Sequence, residues 1–240
     1  MLQSIDLTKC YSQKTVVNKV SLTIEAGKIY ALLGNNGSGK STFMKMAAGL
    51  VKPESGTIMF KGEKIGTKSK KRIAFMPTDA FFYDYMKVKD VGKYYSDFYE
   101  DFDNSRWEVL LVKMELDQKD KVKNLSSGEV VKLKLAATLA RNAELYMLDE
   151  PLNGIDLLAR DTIITTILEV ANETTSLLIS SHMVEELENI VDQVIFLKQG
   201  AVELIGDAEE LRETRGKSIV ELYKEILAKG GDEDAEVDEI

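Results

Sequence analysis

The chain has 240 residues, 44% of them hydrophobic and 30% charged, with a formal net charge of −9. That length and mixture suit one well-cored α/β unit and exclude a fibrous or low-complexity chain, and the acidic balance argues against nucleic-acid binding, which needs a basic face. The single cysteine, Cys10, allows no internal disulfide, and no apolar run reaches the ~18 residues of a bilayer span.

Residues 1–27 alternate in a strand-like way. Val16, Val17, Val20, Leu22 and Ile24 supply the apolar positions, and turns are expected near Ser12–Lys14 and Glu25–Gly27. An antiparallel sheet is predicted, continuing through 55–62, a strand between glycines. The opening Met1-Leu-Gln-Ser-Ile-Asp-Leu lacks the basic start and apolar core of a signal peptide, so the expected compartment is the cytoplasm.

Lys28–Leu33 is a short apolar run that predicts a buried strand, and Phe43–Ala48 is rich in helix formers with Gly49 as a stop. Between them Gly34, Asn35, Asn36, Gly37, Ser38, Gly39, Lys40, Ser41 and Thr42 match G-x-x-x-x-G-K-[ST]. Strand, glycine-rich loop and helix in that order make a phosphate cradle. The glycines let the backbone approach a phosphate, its N–H groups turn inward, and the helix start adds partial positive charge. Lys40 is expected at the β- and γ-phosphates, and the Ser41 hydroxyl on Mg²⁺.

Residues 73–77 predict another buried strand, ended by Pro77. From about 87 to 142 the spacing becomes helical. Val91, Tyr94 or Tyr95, Phe98 and Phe102 are followed by Trp107, Leu110, Leu111 and Met114, which predicts a helical subdomain inserted in the α/β core, with the aromatics as its own core. Four aromatics within Phe81–Tyr85 read either as an anchoring groove for a partner helix or as packing against the core. Ser126 and Glu129 form a capping box before a helix whose apolar face carries Val131, Leu135 and Leu139, and the same helix start can hold an anion.

Leu145–Leu148 predicts a buried strand ending in Asp149 and Glu150. At the carboxyl end of a parallel strand, those acids suit holding Mg²⁺ (Asp149) and polarising a water (Glu150). A helix is expected over 160–171, a strand over 176–179, and a helix over 184–191. A strand over 193–197 and helices over 208–212 and 218–227 complete the pattern. His182, the one histidine, follows the 176–179 strand on the same predicted sheet edge as Asp149, as a donor to the γ-phosphate or a partner of Glu150. Residues 229–240 are acidic, have little to pack, and are expected to be a disordered tail.

In this order and spacing the motifs resemble the nucleotide-binding subunits of ABC transporters across about residues 1–228, as one domain. The segment 34–42 fits the family's phosphate loop. Leu125, Ser126, Ser127, Gly128 and Glu129 look like its LSGGQ signature. Leu145–Glu150 looks like its Mg²⁺ strand followed by the catalytic glutamate, Asn153–Asp156 resembles the loop that crosses between paired subunits, and His182 resembles the switch histidine. Tyr11 sits where the family stacks an aromatic ring on adenine, although a tyrosine near a strand end also reads as packing.

The resemblance implies a P-loop NTPase core with a parallel sheet, an N-terminal antiparallel β subdomain and the helical insertion. It implies ATP and Mg²⁺ as ligands, and two ATPase subunits, identical or not, paired head to tail. Each ATP would lie between the phosphate loop of one subunit and Ser126 and Gly128 of the other, with Asp156 on the dimer loop. It also implies a multi-span membrane subunit as partner, a peripheral position on the cytoplasmic face of the membrane, and transport, with export the looser part of the likeness.

Two positions depart from the family pattern. Thr78, followed by Asp79, stands where a glutamine usually touches Mg²⁺ and water, and Ser127 stands where glycine is usual. A soluble ATPase of the same type, acting in assembly or translation control, is the alternative. Such factors usually carry two cassettes and a basic linker, whereas this chain has one and is acidic. A small-molecule kinase fits less well, because it explains neither the signature-like cap nor Glu150 and His182.

Overall fold

The computed structural model describes residues 1–79 and 81–228; the acidic stretch 229–240 lies outside the described residues. The chain runs β1 (Leu2–Tyr11), β2 (Lys14–Ile24), β3 (Ile29–Leu33), α1 (Lys40–Ala47), β4 (Ser55–Phe60), β5 (Glu63–Lys64), α2 (Thr67–Lys70) and β6 (Ile73–Met76). Three helices follow without an intervening strand, α3 (Val88–Phe98), α4 (Asn104–Lys113) and α5 (Ser127–Leu139). Then come β7 (Leu145–Asp149), α6 (Leu157–Leu168), β8 (Ser176–Ser181), β9 (Gln193–Lys198), β10 (Ala201–Asp207), α7 (Ala208–Arg215) and α8 (Ile219–Ala228).

Two sheets form. One is antiparallel in the order β2-β1-β4-β5; the other runs β10-β9-β3-β8-β7-β6 and is parallel from β9 to β6. The parallel strands are largely apolar because both of their faces are covered. Alternation along β3 sends Tyr30 and Leu32 toward the antiparallel sheet and α1, and Ala31 and Leu33 toward the helices on the other side. Two cores thus share one sheet as their common wall.

Several elements differ from the sequence expectation, the short β5 and α2 among them. Residues 184–191 make a short 3₁₀ helix, Val184–Glu186, followed by hydrogen-bonded turns to Ile190, rather than one continuous helix. β10, which the sequence reading left out, adds antiparallel to β9 after the turn at Gln199-Gly200. Helix α6 starts earlier than its apolar periodicity suggests, because Asp156 accepts from the Ala159 N–H at 3.0 Å and caps it.

The aromatics of α3 divide as well. Tyr95, Phe102 and Trp107 are buried, but Tyr94 and Phe98 are exposed, so the packed stripe of α3 is Val88, Val91 and Tyr95. Tyr95's hydroxyl is pushed up by burial. Gly92 lies on that stripe where a Cβ would sit 2.4 Å from Trp107 Nε1. Gly92→Ala should therefore destabilise the helical region by about 1–3 kcal/mol of overpacking, less the roughly 1 kcal/mol that alanine gains in a helix. A lowered thermal unfolding midpoint checks this, and an unchanged or raised midpoint contradicts it.

Candidate functional site

Parallel pairing sets the strand ends. Leu33 of β3 lies opposite Ser181 of β8, and Asp149 of β7 lies opposite Ser180, so the loops leaving β3, β7 and β8 emerge at one edge of the sheet. Such a carboxyl edge is where open α/β sheets hold ligands. A cleft of about 360 Å³ opens there, lined by Val16, the loop from Asn35 to Thr42, Thr78, Glu150, Asn153 and His182.

The loop's shape follows from its glycines. Gly39 has φ +103°, and a Cβ on it would meet the Val16 carbonyl at 2.5 Å; a Cβ on Gly34 would meet the Leu197 carbonyl at 2.3 Å. The backbone turns so tightly against β2 and β9 that side chains at these positions would push the loop away. Lys40, the first residue of α1, is buried and folds back over the loop, donating to the carbonyls of Gly34 at 2.6 Å and Asn35 at 3.3 Å. From α8, the Tyr223 hydroxyl lies 3.3 Å from Asn35 Oδ1 and braces the loop from outside the cleft. That phenol is pushed up by burial and by the charges of Glu150 and Glu185.

The two acids behave differently. Asp149 is fully buried; its Oδ1 accepts from the Ser180 hydroxyl at 2.6 Å, while Oδ2 has no hydrogen-bond partner among the described residues. Glu150 takes a left-handed backbone, φ +52°, uncommon for a residue with a Cβ. Its N–H donates to the Ser180 hydroxyl at 2.9 Å, which holds that turn. The turn carries the Glu150 carboxyl into the cleft: Oε2 lies 2.8 Å from His182 Nδ1, and Oε1 lies 3.3 Å from Lys40 Nζ as an ion pair without hydrogen-bond geometry. A buried carboxylate costs several kcal/mol unless a cation is near, and Lys40 is that cation.

The remaining sequence-predicted residues are spread around the cleft. Thr78 lines it, with Oγ1 3.5 Å from the Asp149 carbonyl. Asp79 is exposed and pairs with Lys45 at 3.2 Å instead of lining the cleft. Tyr11 lies on the β1–β2 hairpin, 47% exposed, with the Lys9 ammonium 5.2 Å from its ring centroid; Val16 is the residue from that sheet in the cleft wall.

Leu125–Glu129 stand outside the cleft lining. The capping box forms: the Ser126 N–H and hydroxyl donate to Glu129 at 2.8 and 2.7 Å, holding that carboxyl below its ordinary range. Ser126 and Ser127 are exposed, and a Cβ on Gly128 would lie 3.0 Å from the Gly154 carbonyl, so the loop 153–156 packs beside this helix start. Asp156, which caps α6, precedes Leu157 and Leu158, the latter 91% exposed.

Sequence reasoning missed Ser180, which holds both acids, and Tyr223. Ser180 carried one usable signal: a hydroxyl in an apolar strand just before the strand end. Tyr223 carried none.

A family model described as "ABC transporter" matches residues 17–153. The "ABC transporter ATP-binding protein YtrB" of Bacillus subtilis is 35% identical over 216 residues, covering 89% of this chain and 74% of the relative. The "Lantibiotic transport ATP-binding protein SrtF" of Streptococcus pyogenes is 34% identical over 204 residues, covering 84% of this chain and 89% of that one. Among solved structures, one titled "Structure of ATP binding subunit of ABC transporter" superposes with a TM-score of 0.85 at 26% identity, over 95% of this chain and 99% of the other.

Proposed function

The chain belongs to the ABC transporter family, as an ATP-binding subunit that hydrolyses ATP, and on that premise we propose that the cleft at the ends of β3, β7 and β8 is this subunit's own nucleotide half-site. Lys40 and the N–H groups of the loop Gly34–Thr42 bind the β- and γ-phosphates. Glu150 accepts the proton of the attacking water as the water oxygen bonds to the γ-phosphorus. The bond to the bridging oxygen breaks, and ADP and phosphate leave. His182 holds Oε2 so that Oε1 faces the water, and Tyr11 is the adenine-stacking residue of this reading.

Asp149, Ser41 and Thr78 are the proposed holders of Mg²⁺, with Asp79 kept aside by Lys45. The donors fit a hard cation, since the Asp149 Oδ2 is buried with no partner and the others are hydroxyl oxygens. Bound there, Mg²⁺ would neutralise charge growing on the phosphate oxygens.

The observation that carries this reading is the line Lys40–Glu150–His182. It holds one carboxylate oxygen by hydrogen bond and leaves the other buried beside the loop lysine with no hydrogen-bond partner. A buried acceptor left without a hydrogen bond calls for an explanation, and a water to be activated there supplies one.

Ser126, Ser127 and Gly128 are proposed to complete the site of a second ATPase subunit, with Asp156 and the exposed Leu157 and Leu158 at that interface. Losing one hydrogen bond to a charged phosphate costs about 1.5–3 kcal/mol, so Ser126→Ala should slow turnover roughly 10–100-fold. In an assembly of two copies, mixing Ser126→Ala with Lys40→Ala subunits rebuilds one intact composite site. Turnover in the mixture should exceed that of either parent; no recovery contradicts a shared site.

Among the described residues no helix is long and apolar enough to cross a membrane. We propose that a separate multi-span subunit seats a helix on the exposed aromatics Tyr83, Tyr85, Tyr94 and Phe98, holding this chain on the cytoplasmic face. Export is the proposed direction.

A further inference from the structure

Lys134 is a charged side chain where the fold would accept an apolar one. It lies about two turns into α5, is 3% exposed, and is flanked by Leu133, Leu135, Ala136 and Ala137, all buried. Its ammonium donates to the carbonyls of Pro77 at 3.1 Å and Thr78 at 2.6 Å. Burial pushes the ammonium toward its neutral form, and the charges of Asp79 and Asp149 oppose that. Taking an ammonium out of water is expensive, so a lysine here calls for a reason other than stability.

The segment it holds supplies one. Pro77 ends β6, an edge strand of the parallel sheet, and Thr78 enters the cleft wall beside Lys40, Glu150 and His182. Among the described residues, 78 and 79 are otherwise tied by the contact of Thr78 Oγ1 with the Asp149 carbonyl, at the limit of a hydrogen bond, and by the exposed Asp79–Lys45 pair. The two bonds from Lys134 are thus the buried anchor of this wall. They come from the helix whose exposed start is Ser126–Glu129.

We propose that Lys134 is a positioning residue that pins the Thr78 wall of the cleft to α5. The wall of this chain's own ATP site and the serine-rich end that meets the other ATP then move as one body. This rests on the shared-site reading above. It assigns the coupling between the two nucleotides to one buried side chain, whose removal leaves every proposed phosphate contact in place.

The test is ATP hydrolysis by the full chain over a range of ATP concentrations, with equilibrium binding of a fluorescent ATP analogue measured alongside. Lys134→Met keeps an unbranched apolar stem, one atom shorter, and removes the donors. The expected result is a split: kcat falls about tenfold and the Hill coefficient drops toward 1, while analogue affinity stays within about twofold. Lys134→Arg, which restores donors, should regain most of the lost kcat. Lys134→Gln, whose amide can keep one bond, carries the test should the methionine variant not fold, with the same split in smaller measure.

Wild-type kcat and Hill coefficient in Lys134→Met overturn the pin, as does a loss of affinity in proportion to kcat. A wild-type Hill coefficient of about 1, with no recovery in the Ser126/Lys40 mixture, overturns the shared-site reading and the coupling with it.

Discussion

Glu150→Gln is expected to keep ATP binding and lose turnover by about 10²–10⁴-fold, the span usually supplied by a positioned general base. The substitution is close to isosteric. An amide at the same place still meets His182 Nδ1, whose tautomer can adapt, and it still fills the space beside Lys40, 3.3 Å from Oε1 in the wild type. What it cannot do is accept a proton from water. Its neutrality also removes negative charge from beside the γ-phosphate position, so affinity should hold or rise. Steady-state hydrolysis with radiolabelled ATP, together with equilibrium binding, separates the two effects. Hydrolysis near the wild-type rate would remove Glu150 from its role, and a parallel loss of binding would make it a structural residue of the loop.

Lys40→Ala should act on the other quantity. Among the described residues, Lys40 is the cation that both closes over the loop carbonyls and pairs with Glu150. On the proposed reading its charge-assisted bonds to phosphate would each be worth about 1.5–3 kcal/mol, so losing two corresponds to at least a hundredfold weaker binding of ATP. The loss is compounded because alanine leaves the Glu150 carboxylate buried without its cation, next to where a polyanion must enter. Titration calorimetry with ATP and with ADP checks this. The expected order is a large loss for ATP and a smaller one for ADP, which lacks the γ-phosphate; equal affinity for wild type and variant would contradict it.

Much of the site was legible in the sequence because its parts are local. The phosphate loop needs only a strand, glycines at fixed offsets and a following helix, all within residues 28–48. The Ser126–Glu129 capping box is a contract between residues three apart, and the structure forms it. Asp149 and Glu150 were marked by an apolar strand that ends in two acids. Elsewhere local pattern misled. Tyr94 and Phe98 share helical spacing with Val91 yet face outward, because two of the aromatics on α3 lie off the stripe that meets Trp107. Residues 184–191 carry enough apolar content for a helix but make a short 3₁₀ helix and a run of turns before β9.

By itself the sequence determined the class of the fold and the order of the motifs along the chain. Each of these is written in residues close enough to constrain one another's backbone. The tertiary structure decided which of them act together. Glu150 and His182 meet at 2.8 Å although they are far apart in the chain. Ser180 reaches both acids, Tyr223 braces Asn35, and Lys134 holds Pro77 and Thr78. Those meetings depend on the register of parallel strands and on which helix covers which face. In strands buried on both sides no periodicity records either one, so only the packed sheet could bring these groups to a single edge.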